Sequence, residues 1–316
     1  MKKAQLEAAL HDIGRIASEA TKHETTSASN GHETADSASN VACIIKRLPS
    51  RLSERAAQVS IRLNPVNAPL QEFFTVGTPP PDSPLALTLV TAKYWGPAQR
   101  VLSVSFMEAT PADLRARIVS HFNAWSPWTS ISFAETAGVG DVRVSRGPGG
   151  YWSYLGTDIN LVPQNRQTMN LEAFTMDTPD SEFHRVVRHE SGHTLGFAHE
   201  HMRQELVARI DPAKAYPYFL ATQGWSKEMV DQQVLMSLDK ASIYGTAADQ
   251  DSIMCYQLPG TITYDGQPIR GGTDINATDS EFASLVYPKP PIAPGPVNHN
   301  TGDSDWEADE DVDVPL

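Results

Sequence analysis

The most constraining stretch of this chain runs from His189 to His199 and reads H-E-x-x-H-x-x-G-x-x-H. On an α-helix, residues four apart lie on one face, so His189 and His193 present two imidazoles to one point. Glu190 lies one position round the helix, within reach of a water molecule held at that point. Gly196 can adopt the left-handed conformation that ends a helix, so the chain can turn and bring His199 back to the same point.

Three imidazoles with one open position and a nearby carboxylate form the donor set of a catalytic zinc site. We therefore predict Zn(2+) as the cofactor and His189, His193 and His199 as its ligands. Zinc lowers the pKa of a bound water towards about 7, and Glu190 can take that proton and deliver it to a leaving amine. This chemistry fits amide hydrolysis. A histidine-rich surface helix is the alternative, but chance rarely supplies the glycine and the third histidine at these offsets.

Charge and hydropathy exclude two classes of partner. The net charge is −13, and much of it lies in the C-terminal tail, at Asp303, Asp305, Glu307, Asp309, Glu310, Asp311 and Asp313. The rest of the chain is only mildly acidic, so nucleic-acid binding has no electrostatic support. No apolar run reaches the roughly 18 residues of a membrane span, and none is expected.

Two breaks in composition predict three regions. Residues 21–40 are polar and aperiodic, and residues 78–84 are Pro-rich. Residues 1–84 are thus predicted to form an N-terminal arm and linker, with an inhibitory prosegment as one interpretation. Residues 85–288 form the catalytic domain, and residues 289–316 form a Pro-rich, acidic tail that is expected to be disordered.

The two cysteines leave alternatives open. Cys43 is either a thiolate that occupies the open zinc position until the prosegment is removed, or a small buried or free thiol, and the second is favoured because no recognisable inhibitory motif surrounds it. A single bridge between Cys43 and Cys255 is also possible. The sequence leaves localisation open, since polar and charged residues after Lys3 interrupt any apolar signal region.

Hydrophobic patterning predicts alternating strands and helices. Strands are expected at 85–92, 100–106, 130–135, 141–145, 151–156 and 168–174. One helix should begin with Thr110 as N-cap and Pro111 at its first position and run to about Trp125, with Trp125 and Trp128 in the core. The motif helix should begin at Asp180 or Ser181. Later helices are expected over 212–239, broken near Gly224 with Ser226 as a cap, and over 278–286, opened by a Thr278–Glu281 capping box.

The extended histidine motif resembles that of the metzincin metallopeptidases. Residues 252–256, S-I-M-C-Y, resemble the methionine turn of those enzymes, which implies that Met254 forms an apolar floor under the histidines. The similarity is greatest to the astacin-like branch, because residues 196–200 continue the motif as G-F-x-H-E. Tyr256 stands two residues after the turn methionine, where the resemblance implies a fifth, switchable zinc ligand that can hydrogen-bond the oxyanion. The alternative is a core tyrosine.

Residues 151–156 resemble the upper edge strand of the same branch, which implies that Trp152, Ser153 and Tyr154 bind an extended peptide by strand addition. An ordinary sheet edge is the alternative. The resemblance spans roughly residues 92–287. It departs from the branch in lacking its paired cysteines, in the poor match of residues 203–206 to R-x-D-R-D, and in showing no maturation site that would give Glu200 its usual partner. These departures are typical of a microbial, disulfide-poor relative.

The resemblance implies an α/β fold. An upper lobe holds a twisted mixed sheet and two long helices, and an irregular lower lobe ends in a helix. The implied function is a zinc-dependent endopeptidase that acts on a protein or peptide substrate. Two alternatives remain: a catalytically silent member that binds peptides through the same cleft, against which the intact Glu190 argues, and a peptidase restricted to one partner. The sequence indicates neither the cleavage specificity nor the oligomeric state.

Overall fold

The computed structural model describes residues 43–67, 89–90, 93–238, 243–244 and 248–290. The predicted linker at 21–40 and most of the acidic tail lie outside these residues, as does most of the strand expected at 85–92. Cys43 and the residues after it belong to the same compact unit as the histidine motif.

A mixed sheet of six strands forms one side of the molecule. Its strands are β1 (Ile44–Lys46), β3 (Arg100–Phe106), β4 (Ile131–Glu135), β5 (Val142–Ser145), β6 (Tyr151–Tyr154) and β7 (Met169–Leu171), in the spatial order β1-β6-β7-β5-β3-β4. The pairings are parallel except for β6 with β7. The strands β2 (Leu89–Val90) and β8 (Ile243–Tyr244) form a separate antiparallel pair.

Helical segments accompany the strands throughout the described part of the chain. They are α1 (Ser53–Leu63), α2 (Ala112–Phe122), α3, α4 (Gln204–Val207), α5 (Pro212–Gln223), α6 (Lys227–Val230) and α7 (Ala277–Val286). We call α3 the continuous helix built from Asp180–Glu182, a π-helical stretch Phe183–Val187 and Arg188–Thr194. Another π-helical stretch, Asp231–Leu235, follows α6. Within the described residues, none of the helices has the length and apolar character that crossing a bilayer demands.

The main core lies where the sheet meets α2 and α3. It includes Val104, Ile118, Phe122, Trp125, Val142, Val187 and Leu195. Burying large side chains of this kind contributes roughly 1.5–3 kcal/mol each. This core holds one side of α3 in place. The helix can therefore carry the polar residues of the histidine motif on its other side. A second cluster includes Phe219, Val230 and Leu258, together with Cys43 and Tyr256.

The α/β class and the mixed sheet are confirmed, while several local predictions are wrong. Trp125 is buried, but Trp128 is 46% exposed, because the chain turns outward after Trp125. The helix α2 begins one residue later than predicted, with Pro111 as its N-cap. The capping box of α7 uses Asn276 and Asp279, so the Thr278–Glu281 assignment was out of register.

Candidate metal and catalytic site

The motif helix ends as its glycine predicts. Arg188–Thr194 is the last helical segment of α3, and Gly196 follows with a φ of 97°, which strongly favours glycine. The backbone N–H of Phe197 donates to the carbonyl of Gly192 at 3.1 Å. The reversed chain then places His199 beside His193, with 4.6 Å between the ring centroids.

Backbone carbonyls set the orientation of two histidine rings. Nδ1 of His189 lies 2.7 Å from the carbonyl oxygen of Ile253, and Nδ1 of His193 lies 2.7 Å from that of Phe197. A carbonyl can only accept, so each Nδ1 carries the proton and each Nε2 keeps its lone pair. This is the usual arrangement of histidines that bind metal through Nε2.

Four buried side chains present ligand atoms to one point. The Sγ of Cys43 and one ring nitrogen each of His189, His193 and His199 all lie within 4.8 Å of one another. The Nε2 atoms of His193 and His199 are 3.0 Å apart. Two ring nitrogens this close require a proton or a cation between them, so the residues fit a metal ion. The donor set of nitrogen and sulfur suits zinc.

Burial keeps the three imidazoles neutral, which is the form that binds metal. It lowers the pKa of His189 to about 4. It also lowers the pKa of His193 and His199 well below the usual range, and the neighbouring histidines lower both further.

Glu190 is fully buried beside this group. Burial raises the pKa of its carboxyl to about 8, while the adjacent Cys43 thiol and the charge of Arg185 act in the opposite direction. A cation held by the neighbouring histidines would stabilise the ionised form and lower this pKa, which leaves a carboxylate able to accept a proton near neutral pH.

Met254 lies directly under the motif helix. A Cβ added to Gly192 would stand 2.5 Å from the Met254 sulfur, so the missing side chain of this glycine makes room for the methionine. Met254 is fully buried. Met254 thus contacts the helix that carries His189 and His193, and its role as the floor of a metal site stays a prediction.

Asp279, at the start of α7, holds the methionine turn. Its carboxylate accepts from Ser252 Oγ at 2.6 Å and from the backbone N–H of Ile253 at 3.0 Å. The carbonyl of the same Ile253 accepts from His189. A continuous chain of contacts thus joins α7 to the first histidine. Sequence reasoning missed Asp279, because it assigned the capping box to the wrong residues.

Tyr256 lies against the histidines. Its ring centroid is 4.3 Å from that of His199 and 4.5 Å from that of His201, with which it is stacked. Burial raises the pKa of its phenol well above the usual range, as do the neighbouring Cys43 and Glu190. His201 itself is a buried ring whose Nε2 donates to the Gln233 carbonyl at 2.9 Å.

The predicted edge strand β6 already carries a neighbour. The short strand β1 pairs with it in parallel, with Ile44, Ile45 and Lys46 opposite Trp152, Ser153 and Tyr154. The Ser153 side chain is fully buried, and its hydroxyl donates to the carbonyl of Tyr154. What β6 offers a partner strand is therefore its backbone, flanked by the Trp152 and Tyr154 rings.

The cysteine beside the histidines was the less favoured interpretation of the sequence. Both Cys43 and Cys255 are buried free thiols, so no bridge joins them. Cys43 lies directly before β1, and the pairing of that strand with β6 brings the thiol to the metal centre. Because no motif surrounds Cys43, the sequence carries no signal of such a contact.

Comparison with known proteins agrees with the geometry. The chain is 31% identical over 185 residues to zinc metalloproteinase nas-27 of Caenorhabditis elegans, a match that covers 58% of this chain and 38% of that protein, so it spans well under half of that relative. A solved structure of myroilysin superposes with a TM-score of 0.60 and 31% identity over 64% of this chain and 99% of that one. Residues 89–266 match the family model described as Astacin, a family of peptidases. The chain belongs to the astacin family.

Proposed function

We propose that this protein is a zinc-dependent endopeptidase that hydrolyses peptide bonds in a protein or peptide substrate. The observation that carries the proposal is the convergence of His189, His193 and His199 on one buried point, with the Glu190 carboxyl beside it. The strand β6, which β1 covers, lies next to this point. Zinc is the cofactor of this family, and these side chains are the ones that would hold it.

The chemistry follows from the side chains. Zinc held there supplies an activated water and polarises the scissile carbonyl. The Glu190 carboxylate would accept a proton from the attacking water and deliver it to the leaving nitrogen. Tyr256 donates to the oxyanion that develops on the carbonyl. An extended substrate pairs with the backbone of β6 between Trp152 and Tyr154.

A casein or gelatin assay with and without a chelator tests this function, alongside Glu190→Ala. We expect chelator-sensitive cleavage by the zinc-loaded chain in which Cys43→Ala and Ile45→Asp release β1 from the site, and retained metal with at least roughly a hundredfold lower turnover when Glu190→Ala is added. Activity that survives both the chelator and Glu190→Ala would contradict the proposal. Failure to cleave either protein, together with tight binding of peptides from a proteome-derived library, would favour the silent peptide-binding alternative. Cleavage of a single library peptide would identify a narrow-specificity enzyme.

In the same proposal, residues 1–84 act as a prosegment of the catalytic domain at 85–288, and the Cys43 thiol would be a further ligand of the zinc. Two observations support this. The Cys43 sulfur belongs to the same ligand group as the three histidines. The strand β1 occupies the edge of β6 on which a substrate would lie. A Cys43 thiolate bound to the metal would exclude water, and β1 paired with β6 would exclude the substrate.

Replacing the thiol tests this inhibition in the full chain. We expect Cys43→Ala to raise the rate of peptide hydrolysis at least roughly tenfold, because the fourth position on the metal is then open to water. Gln58→Ala, an exposed change on α1, is the matched control. Cobalt substitution supplies a second measurement, since a thiolate–cobalt absorption band should be present in the unaltered chain and absent in Cys43→Ala. Equal rates and equal spectra would rule out the thiol ligand.

A further inference from the structure

One buried side chain holds the backbone of Ile45. The N–H of Ile45 donates to Gln233 Oε1 at 3.1 Å, and Gln233 Nε2 donates to the Ile45 carbonyl at 3.3 Å. Gln233 is 3% exposed, and its own carbonyl accepts from His201, which stacks on Tyr256. The position of Gln233 is therefore fixed by residues that line the candidate site.

The Ile45 side chain occupies an apolar pocket. Cys43 and Ile45 are two residues apart, and both are buried, whereas Ile44 between them is only half-buried. Ile45 packs with Leu155, Ala198 and Leu238. Together with Ile45 itself, these residues line a cavity of about 320 Å³.

Two charged residues from the part of the chain after residue 84 line this cavity, and their charges neutralise each other. Lys93 and Asp158 form an ion pair at 2.6 Å. The other charged lining residues, Lys46 and Arg47, belong to β1 and the residue after it, so they would leave with that strand. Without β1, the lining of the cavity is therefore suited to an aliphatic side chain. Burial of such a side chain contributes roughly 25 cal/mol of binding free energy for each Å² of apolar surface removed from water.

A side-chain amide is suited to hold a strand that runs in either direction. It offers one donor and one acceptor, and rotation about its last torsion exchanges them. Gln233 can thus pair with the N–H and C=O of one residue whether the strand runs parallel to β6, as β1 does, or antiparallel. A carboxylate at this position would accept only.

We propose that Gln233, with the pocket formed by Leu155, Ala198 and Leu238, is a substrate subsite that β1 occupies in this chain. Gln233 binds the peptide backbone, and the pocket takes a branched aliphatic side chain two residues from the one at the metal centre. This inference rests on the proposed peptidase function and adds its substrate class: extended peptides with Ile, Leu or Val at that position.

The test uses the full zinc-loaded chain carrying Cys43→Ala and Ile45→Asp, because a carboxylate in the apolar pocket displaces β1 from the subsite, with a library of peptides randomised around the scissile bond. We expect cleaved peptides to be enriched in Ile, Leu and Val at one fixed position. Adding Gln233→Met, which keeps the side-chain length, should raise KM about ten- to thirtyfold with little change in kcat, through the loss of two hydrogen bonds. Gln232→Met, an exposed neighbour of the same type, is the control.

Two further measurements keep the inference testable if Gln233→Met folds poorly. Leu238→Ala enlarges the pocket at a half-buried position, so it should shift the preference towards Phe. In the chain that retains Cys43, Gln233→Met should also speed labelling of that thiol at least roughly fivefold relative to Gln232→Met, because β1 is held less firmly.

The outcomes separate this inference from the function on which it rests. If the chain carrying both Cys43→Ala and Ile45→Asp cleaves no peptide, the peptidase function fails and the subsite fails with it. If it cleaves peptides without aliphatic preference, and the Gln233 and Gln232 variants behave alike, the subsite alone is wrong. Enrichment at the fixed position together with the KM effect supports it.

Discussion

His189 and His193 are each oriented by a backbone carbonyl, which supplies the proton acceptor for Nδ1 and leaves Nε2 for a metal. His199 reaches the same point only because Gly196 reverses the chain. At the scale of single residues, the site is therefore a set of side chains whose protonation and direction are decided by neighbouring backbone. Their roles as ligands remain predictions that metal content can check.

Replacing His199 should remove the metal, whereas replacing its neighbour should not. We expect His199→Ala to lower zinc affinity by at least roughly a hundredfold, because only His189, His193 and the Cys43 thiol would be left to bind the metal. His201→Gln should keep about one zinc per chain, since His201 lies outside the ligand group and Gln can still donate to the Gln233 carbonyl. Zinc content after dialysis, measured by mass spectrometry, gives the answer. Equal zinc in both variants would contradict the assignment.

Packing between elements holds the site at the next scale. The helix α3 lies on Met254 through the bare surface of Gly192, and α7 holds the methionine turn through Asp279. Each contact joins segments that are far apart in sequence. The position of the histidines thus depends on how closely α3, the turn and α7 pack.

Adding one methyl group at Gly192 tests the packing of α3 on the turn. Gly192→Ala would place Cβ 2.5 Å from the Met254 sulfur and 3.3 Å from the Trp125 ring, so the methionine must move. We expect a loss of about 1–3 kcal/mol in unfolding free energy and weaker zinc binding. Gly138→Ala, whose Cβ would meet only Thr136 Oγ1 at 3.8 Å, should change the unfolding free energy by no more than about 0.5 kcal/mol and leave zinc binding unaltered. Urea unfolding and zinc titration measure both effects.

The Asp279 carboxyl predicts a pH dependence. Burial raises its pKa to about 6, while hydrogen bonds from Ser252, Ile253 and Asn276 lower it. The folded state then binds more protons than the unfolded state between about pH 4 and 6, so this group's contribution to stability falls as pH rises through that window, by up to about 3 kcal/mol. Asp279→Asn removes the titration.

The comparison requires zinc-free protein, so that metal release does not add its own pH dependence. The unfolding free energy of the unaltered chain minus that of Asp279→Asn should decrease from about pH 4 to about pH 6 and stay level above about pH 7. A difference that is flat across this whole range would show that burial does not raise the pKa of Asp279.

At the scale of the whole molecule, the segment that contains Cys43 contacts the rest of the described chain at the candidate site. The strand β1 extends the sheet, and Gln233 is hydrogen-bonded to the backbone of Ile45. Asn67, just beyond α1, donates to the carbonyl of Tyr94 at 2.8 Å. If zinc bridges the thiol to the histidines, metal binding should stabilise this contact.

Removing the metal should therefore expose one cysteine and not the other. We expect chelation of the full chain to raise the labelling rate of Cys43 by a thiol reagent at least roughly tenfold. Cys255 is buried as well, but it lies outside the group of ligand atoms, so removal of the metal should leave it protected. Mass spectrometry of labelled peptides distinguishes the two. Equal acceleration at both sites would indicate general unfolding, and no acceleration at either would contradict the zinc–thiol link.

The sequence by itself determined the elements that depend on short spacings. Four-residue helical spacing paired His189 with His193, a positive-φ glycine ended the helix at Gly196, and Ser226 capped α6 after the left-handed Gly224. These features are local, because the backbone geometry of a few consecutive residues produces them. For that reason, most residues of the candidate site could be predicted from the spacing of the motif at 189–199.

Tertiary structure alone decided the contacts that join distant segments. It placed Cys43 among the histidines, Gln233 on the backbone of Ile45, and Asp279 under the methionine turn. Each depends on sheet register or helix packing across many residues, and a single side chain in a sequence gives no sign of what it will meet. The chemistry of the site could therefore be predicted from spacing, whereas the neighbours of the thiol, the carboxylate that holds the turn and the pocket around Ile45 were set by the fold.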